Sequence, residues 1–342
     1  MRKLIPVVLL TCLSSLLFGD EVEPVNFSLL ETREINGEET YFLKNKKEPY
    51  TGRSVENYDN GNKWVVNYSK GKIDGLSDYH YPSGKKAYED FHENGKMVYA
   101  KSWKPDGSIC DVTNVVDGDG VAQTYHPNGP IEWRANIKNG YYEGLATRWY
   151  ENGQKQVEVN NKEGKKDGLG TWWYDNGQKK EESNWKDGKP DGLTTHWYDN
   201  GEKKEESNWK DGKQDGLTTH WYDNGQKKDE GNYKDGKGHG LTTNWYDNGQ
   251  KKDESNWKDG KQDGLTTLWY ENGEKEAEAN FKAGKQDGLV IGWHQNGQKR
   301  GESNWKDGQL DGTLKAFNKN GKEILRQIYN NGTLVLEKMN TE

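Results

Sequence analysis

Histidines and paired acids are the residues of this chain whose types suit metal binding or acid–base chemistry. His196 and His220 stand one 24-residue step apart. If that step is two strands, the gap is about 10 Å, too far for the pair to share one zinc ion. Loops of the form Asp-Gly-Lys-x-Asp-Gly, such as Asp211 to Gly216, offer carboxylates to calcium. Their bracketing lysines oppose a cation, however, and the dense alternation of oxygen ligands found in an EF-hand is missing. Glu205 and Glu206 recur only because the sequence around them recurs, whereas a glycosidase sets two acids apart in different environments. No nucleophile elbow, phosphate-binding Gly-rich loop or zinc-hydrolase motif occurs. The reading is therefore non-catalytic, with no metal and no cofactor.

The remaining chemistry is aromatic. Rings recur every 12 residues at Trp173, Trp185, Trp197, Trp209, Trp221, Tyr233, Trp245, Trp257, Trp269, Phe281, Trp293 and Trp305. Such rings can pack on one another as a structural ladder. They can also stack on a glycan or a protein, and an array multiplies weak contacts. A second stripe, Tyr174, Tyr198, Tyr222, Tyr246 and Tyr270 with His196 and His220, is the candidate partner-binding surface.

The elements that must position these residues follow from glycine. Gly-Leu pairs recur with a period of 24 from Gly144-Leu145 to Gly288-Leu289, and nine residues after each such glycine comes another, almost always preceded by Asn. Each unit thus carries two turn signals, Asp-Asn-Gly and Lys-Asp-Gly. Read as three-residue loops ending in a left-handed glycine, they make every unit an antiparallel hairpin. The fold class expected is all-β, an elongated single-sheet antiparallel meander of tandem 24-residue β-hairpin repeats. With loop 199–201, Trp197 opposes Lys203, and two odd loops per unit send Trp197 and Trp209 to one face. Thr194, His196, Tyr198, Lys204, Glu206 and Asn208 then occupy the other.

Composition agrees with an array rather than a conventional core. Of 342 residues 30% are apolar and 31% charged, while 15 Trp and 19 Tyr sit at fixed intervals, which argues against disorder. A net charge of -7, with mixed signs throughout, offers no basic stripe for nucleic acid. Residues 1–19 read as a signal peptide, too short for a confident membrane span. The mature chain is expected in the periplasm, at the cell surface or outside, with no transmembrane span. Cys12 raises a lipid anchor, but Thr11 stands where small residues are usual; Cys110 then has no cysteine partner. The organisation read is a leader (1–19), a lead-in or cap (20–50), worn repeats (51–143), regular repeats (144–333), and a C-terminal cap and tail (334–342).

Trp197-Tyr198-Asp199-Asn200-Gly201 followed by Trp209-Lys210-Asp211-Gly212-Lys213-Gln214-Asp215-Gly216-Leu217 resembles the MORN-variant repeats of bacterial proteins, over roughly 52–333. The first Trp of many units stands where that pattern usually has Tyr. The resemblance implies an elongated β-array with a contact or scaffolding role, self-association included. An antitoxin label carried by some members makes toxin neutralisation a remote alternative. The function expected is protein–protein contact or scaffolding at the cell envelope or outside the cell. Binding of cell-wall or extracellular polysaccharide through the rings is the alternative.

Overall fold

Short runs of small, polar and aromatic residues between glycine-bearing turns form strands throughout the computed structural model, which describes residues 23–36 and 38–339. The leader and Cys12 lie outside the described residues. Among the described residues there is one 3-10 turn, Phe27–Leu29, and no α-helix. Two compact units divide at Gly153/Gln154.

The first unit holds strands of irregular spacing, where the sequence reads as worn repeats, and an apolar core. Leu30–Ile35 pairs with Glu38–Leu43 as a hairpin. Gly52–Asn57, Lys63–Ser69, Gly75–His80, Lys86–Glu93 and Lys96–Ser102 follow as an antiparallel meander. Gly120–Tyr125, Ile131–Lys138 and Tyr141–Trp149 form another. Where the sequence spacing slips, isolated bridges such as Trp103–Ile109 and Ala100–Val115 replace a regular strand. Leu30, Tyr50, Val66 and Tyr68 make one buried cluster, and Met97, Ala100, Val115, Ala122 and Ile137 another.

The second unit is a meander from Lys155–Lys162 to Thr333–Met339, in which neighbours in sequence are neighbours in the sheet. Each repeat supplies an eight-residue strand, as in Lys203–Lys210, and a nine-residue strand, as in Lys213–Trp221. The first turn is the three-residue loop expected from sequence. Tyr198 N–H donates to Glu202 O at 2.9 Å, Gly201 N–H donates to Tyr198 O at 3.0 Å, and Gly201 has φ +90°. Trp197 opposes Lys203.

The second turn differs from expectation. Lys210 opposes Lys213, so the loop has only two residues, and both are left-handed, Asp211 at φ 50° and Gly212 at φ 82°. That is a type I′ turn, whose twist matches the flanking strands. A further irregularity lies inside the first hairpin. His196 opposes Glu205 while its neighbour Trp197 opposes Lys203, leaving Lys204 as a bulge.

Each departure reverses the alternation once, and the expectation of one aromatic face falls with them. Trp197 lies with Thr195, Leu193, Glu206 and Asn208; Trp209 lies on the opposite face with Gly192, Thr194, His196, Glu205 and Ser207. The 12-spaced rings are therefore two ladders with a 24-residue period, one on each side of the sheet. Beneath them the buried layer is made of small residues rather than aliphatic ones. Thr194, Ser207 and Thr218 are buried on the Trp209 side, Thr195 and Thr219 on the Trp197 side. The last strand, Thr333–Met339, pairs with Glu323–Asn330 and leaves Leu334, Val335 and Leu336 exposed.

Candidate functional site

Each rim of the second unit is stitched by side chains that reach one repeat onward. On the Asn-Gly rim the hydroxyls of Tyr174, Tyr198, Tyr222, Tyr246 and Tyr270 donate to the carbonyls of Trp197, Trp221, Trp245, Trp269 and Trp293 at 2.8–2.9 Å. Beside them Asn176 and Asn200 donate through Nδ2 to Asp199 O and Asp223 O at 3.0 and 3.2 Å. His294 substitutes for the tyrosine with its Nε2 3.1 Å from Phe317 O. Burial pushes the Tyr174, Tyr222 and Tyr246 phenols up, so they stay neutral donors. The tyrosine stripe read as partner-binding thus has its hydroxyls engaged within the array.

On the Asp-Gly rim the second aspartate of a loop accepts from the backbone of the next, except where His239 takes its place. Asp191 Oδ2 takes the Asp211 N–H at 3.1 Å and Asp215 Oδ2 the Asp235 N–H at 3.2 Å. These carboxylates have a structural use, and among the described residues no group of three or more His, Cys, Asp or Glu is placed to hold a metal ion. Gly216 at φ +117° permits the close passage here, since a Cβ would stand 3.1 Å from the Asn208 Cβ. Asn208 Nδ2 in turn donates to Leu217 O at 2.9 Å.

The two faces differ in chemistry. On the Trp197 face each ring is capped by a lysine from the preceding polar strand, Lys179 over Trp197 and Lys203 over Trp221, both 5.6 Å from the ring centroid. The same lysines pair with Glu182 and Glu206. Leu169, Leu193, Leu217, Leu241, Leu265 and Leu289 make a row 42–46% exposed on this side.

On the Trp209 face the indole N–H groups of Trp185, Trp209, Trp257 and Trp305 donate to Ser183, Ser207, Ser255 and Ser303 at 2.7–2.9 Å. Where the ring carries no indole N–H the serine is absent: Tyr233 follows Gly231, and Phe281 follows Ala279. The buried hydroxyl is thus kept where a donor needs it.

Along the middle of the same face runs one cross-strand row. It includes Glu181, His196, Glu205, His220 and Asp229, each directly opposite the next. His220 Nδ1 is 2.6 Å from Asp229 and its Nε2 3.6 Å from Glu205. Hydrogen bonds to Asp229 and then Glu205 push the imidazole up to about 9, and the same ring holds the Glu205 carboxyl below its ordinary range.

Seven successive segments, 142–161, 166–187, 190–211, 214–235, 238–259, 262–283 and 286–307, match the family described as MORN repeat variant. The region 142–307 is an array of MORN repeats. No curated protein matches the chain significantly. Among solved structures, the crystal structures of TcdB2-TccC3 and TcdB2-TccC3-Cdc42 align with 82% and 90% of this chain at 10% identity. They do so over only 18% and 20% of their own chains and with a TM-score of 0.13, so this chain spans about a fifth of each and the likeness carries no argument.

Both histidines singled out from sequence fall in the central row of the MORN array, His196 with Glu181 3.8 Å away. Sequence reasoning missed the row itself. Its signal was present as variation. The residue before the first Trp of each repeat is Trp172, His196, His220, Asn244, Leu268 and then Gly292, while its neighbours scarcely change from Gly192 to Gly249.

Proposed function

We propose that the chain is a non-catalytic contact protein of the cell envelope or exterior, whose MORN array presents broad sheet faces to a protein partner. The observation that carries this reading is that the array stitches its rims to itself but leaves both faces uncovered. Rings there are half-buried, and the leucine row is 42–46% exposed. Among the described residues of the second unit no second layer lies over this sheet, and apolar rows of this kind mark contact surfaces. Export rests on the leader-like composition of residues 1–19, and no helix among the described residues is long and apolar enough to cross a membrane.

Polysaccharide binding is the second reading, favoured by one arrangement. Trp185, Trp209, Trp257 and Trp305 share a face, with neighbouring repeats two strands or about 10 Å apart, so that several rings can engage one extended glycan.

Affinity capture with the full chain from its native envelope, repeated with the exposed leucines Leu193, Leu217 and Leu265 changed to Ser, tests the first reading. A partner retained by the wild type and lost with the leucine substitutions supports it. Quenching of Trp emission across a broad glycan panel with no protein captured selects the second.

A further inference from the structure

Eight-residue and nine-residue strands alternate through the array, and two of their variable positions meet in a single row on the Trp209 face. Past Asp229 the row continues through Asn244 and Asp253 to Leu268, Ala277, Gly292, Gly301, Ala316 and Leu325, each directly opposite the next. Along this row the side chains change from acid and imidazole to amide and then to aliphatic, while the rim tyrosines from Tyr174 to Tyr270 are kept.

The row has two chemical halves. In the first, Glu181, Glu205, Asp229 and Asp253 occur on every second strand, about 10 Å apart. Their ion pairs are with the histidines His196 and His220, and Lys166, 4.2 Å from the Trp185 ring centroid, brings a further positive charge near Glu181. The contrast is with Glu182, Glu206, Glu230 and Glu254 on the other face, each neutralised by its own lysine. The neighbouring bulge lysines, Lys180, Lys204, Lys228 and Lys252, are drawn to the rim, over the rings of Tyr174, Tyr198, Tyr222 and Tyr246. In the second half the row's own residues are aliphatic or glycine, with Leu268 at 36% exposure, and one cation borders it, the Arg300 guanidinium, whose Nε lies 3.3 Å from where a Gly292 Cβ would stand.

We propose that this row is the docking track for one extended polypeptide segment, basic along the half that lies on Glu181 to Asp253 and apolar along the half that lies on Leu268 to Leu325. The inference rests on the protein-contact reading above and names the chemistry of the partner. Six strand spacings separate Glu181 from Asp253 and five separate Leu268 from Leu325, or about 29 and 24 Å. An extended chain covers those lengths with roughly nine and seven residues, and a basic side chain at every third position meets the carboxylate spacing.

The test uses the full-length chain and labelled synthetic peptides read by fluorescence anisotropy. One peptide carries Lys at every third position for nine residues followed by seven Leu and Ala. A second scrambles the same residues, and a third replaces Lys by Glu. The block peptide is expected to bind about tenfold tighter than either control, with an affinity that falls as salt rises.

The fourfold variant Glu181→Gln, Glu205→Gln, Asp229→Asn, Asp253→Asn should abolish that preference. The fourfold variant Glu182→Gln, Glu206→Gln, Glu230→Gln, Glu254→Gln, with the same change in net charge on the opposite face, should change it less than about twofold. Equal binding of block and scrambled peptides, or equal effects of the two variants, overturns the proposal. If the first variant melts early, Leu268→Glu with Ala277→Glu adds charge without removing a hydrogen bond. It should shift preference to a peptide with a longer basic block, and an unshifted preference overturns the track. An envelope partner still captured by the row variant would sink the track and leave the protein-contact reading standing; a chain that captures no protein sinks both.

Discussion

Tyr198→Phe isolates the stitching of the Asn-Gly rim. The substitution keeps the ring, and with it Lys204 5.7 Å from the ring centroid, and removes only the hydroxyl that donates to Trp221 O at 2.8 Å. A neutral hydrogen bond contributes about 0.5–1.5 kcal/mol net, and the freed carbonyl, at a strand end beside an exposed turn, can recover a water. The expected loss is therefore about 0.5–1 kcal/mol for one site. The five sites Tyr174, Tyr198, Tyr222, Tyr246 and Tyr270 lie one repeat apart, about 10 Å, far enough for their effects to add to roughly 2.5–5 kcal/mol. Urea unfolding followed by Trp emission measures the sum, and hydrogen exchange at the five bonded junctions locates it. A fivefold variant as stable as the wild type to within about 0.5 kcal/mol would refute the stitching role. So would one that loses a captured partner while keeping its stability, which would return the hydroxyls to the binding surface.

On the other rim, Asp215→Ala removes the acceptor of the Asp235 N–H and should cost about 1 kcal/mol at most, since the turn is exposed; calorimetric melting of the full chain checks it. Ser207→Ala strands the Trp209 indole N–H over a buried site and should cost about 1–2 kcal/mol. The double variant Ser207→Ala, Trp209→Phe should cost less than the sum of the two single changes in a double-mutant cycle, as the natural Ala279–Phe281 pairing implies. For His220, whose folded pKa of about 9 lies above the ordinary 6.5, the stabilisation is complete below 6.5 and is lost as pH rises through 9. The lowered Glu205 contributes above the ordinary 4.5 and loses its share as pH falls through its folded value. Melting temperature against pH should therefore decline between 6.5 and 9 in the wild type and decline less in His220→Gln.

Much of the architecture was legible because glycine announces turns. The 24-residue period, the alternation of strands and the three-residue loop at Asp199–Gly201 all follow from Asn-Gly and Asp-Gly spacing. The faces were not legible, for two physical reasons. Lys204 sits in a bulge within a run of lysines and glutamates that carries no glycine or proline to mark it. At the other turn an aspartate takes the left-handed conformation at φ 50°, turning an expected three-residue loop into two. A parity error at either place exchanges every side chain beyond it. The candidate site suffered accordingly: His196 and His220 were named, but Glu205 and Asp229 join them only once the bulge is known. The hydroxyl bonds of the tyrosines leave no trace in one sequence beyond the recurrence of Tyr itself.

The side-chain stitches of the array connect residues 23 or 20 positions apart, always reaching from one repeat to the next. A gain or loss of one whole 24-residue block therefore severs and remakes chemically equivalent junctions. Copy number can drift by unequal exchange at no structural penalty beyond the block itself. Each such event would also lengthen, shorten or reorder the side chains displayed along the central row, so that recombination of whole blocks changes that row in larger steps than point substitution does.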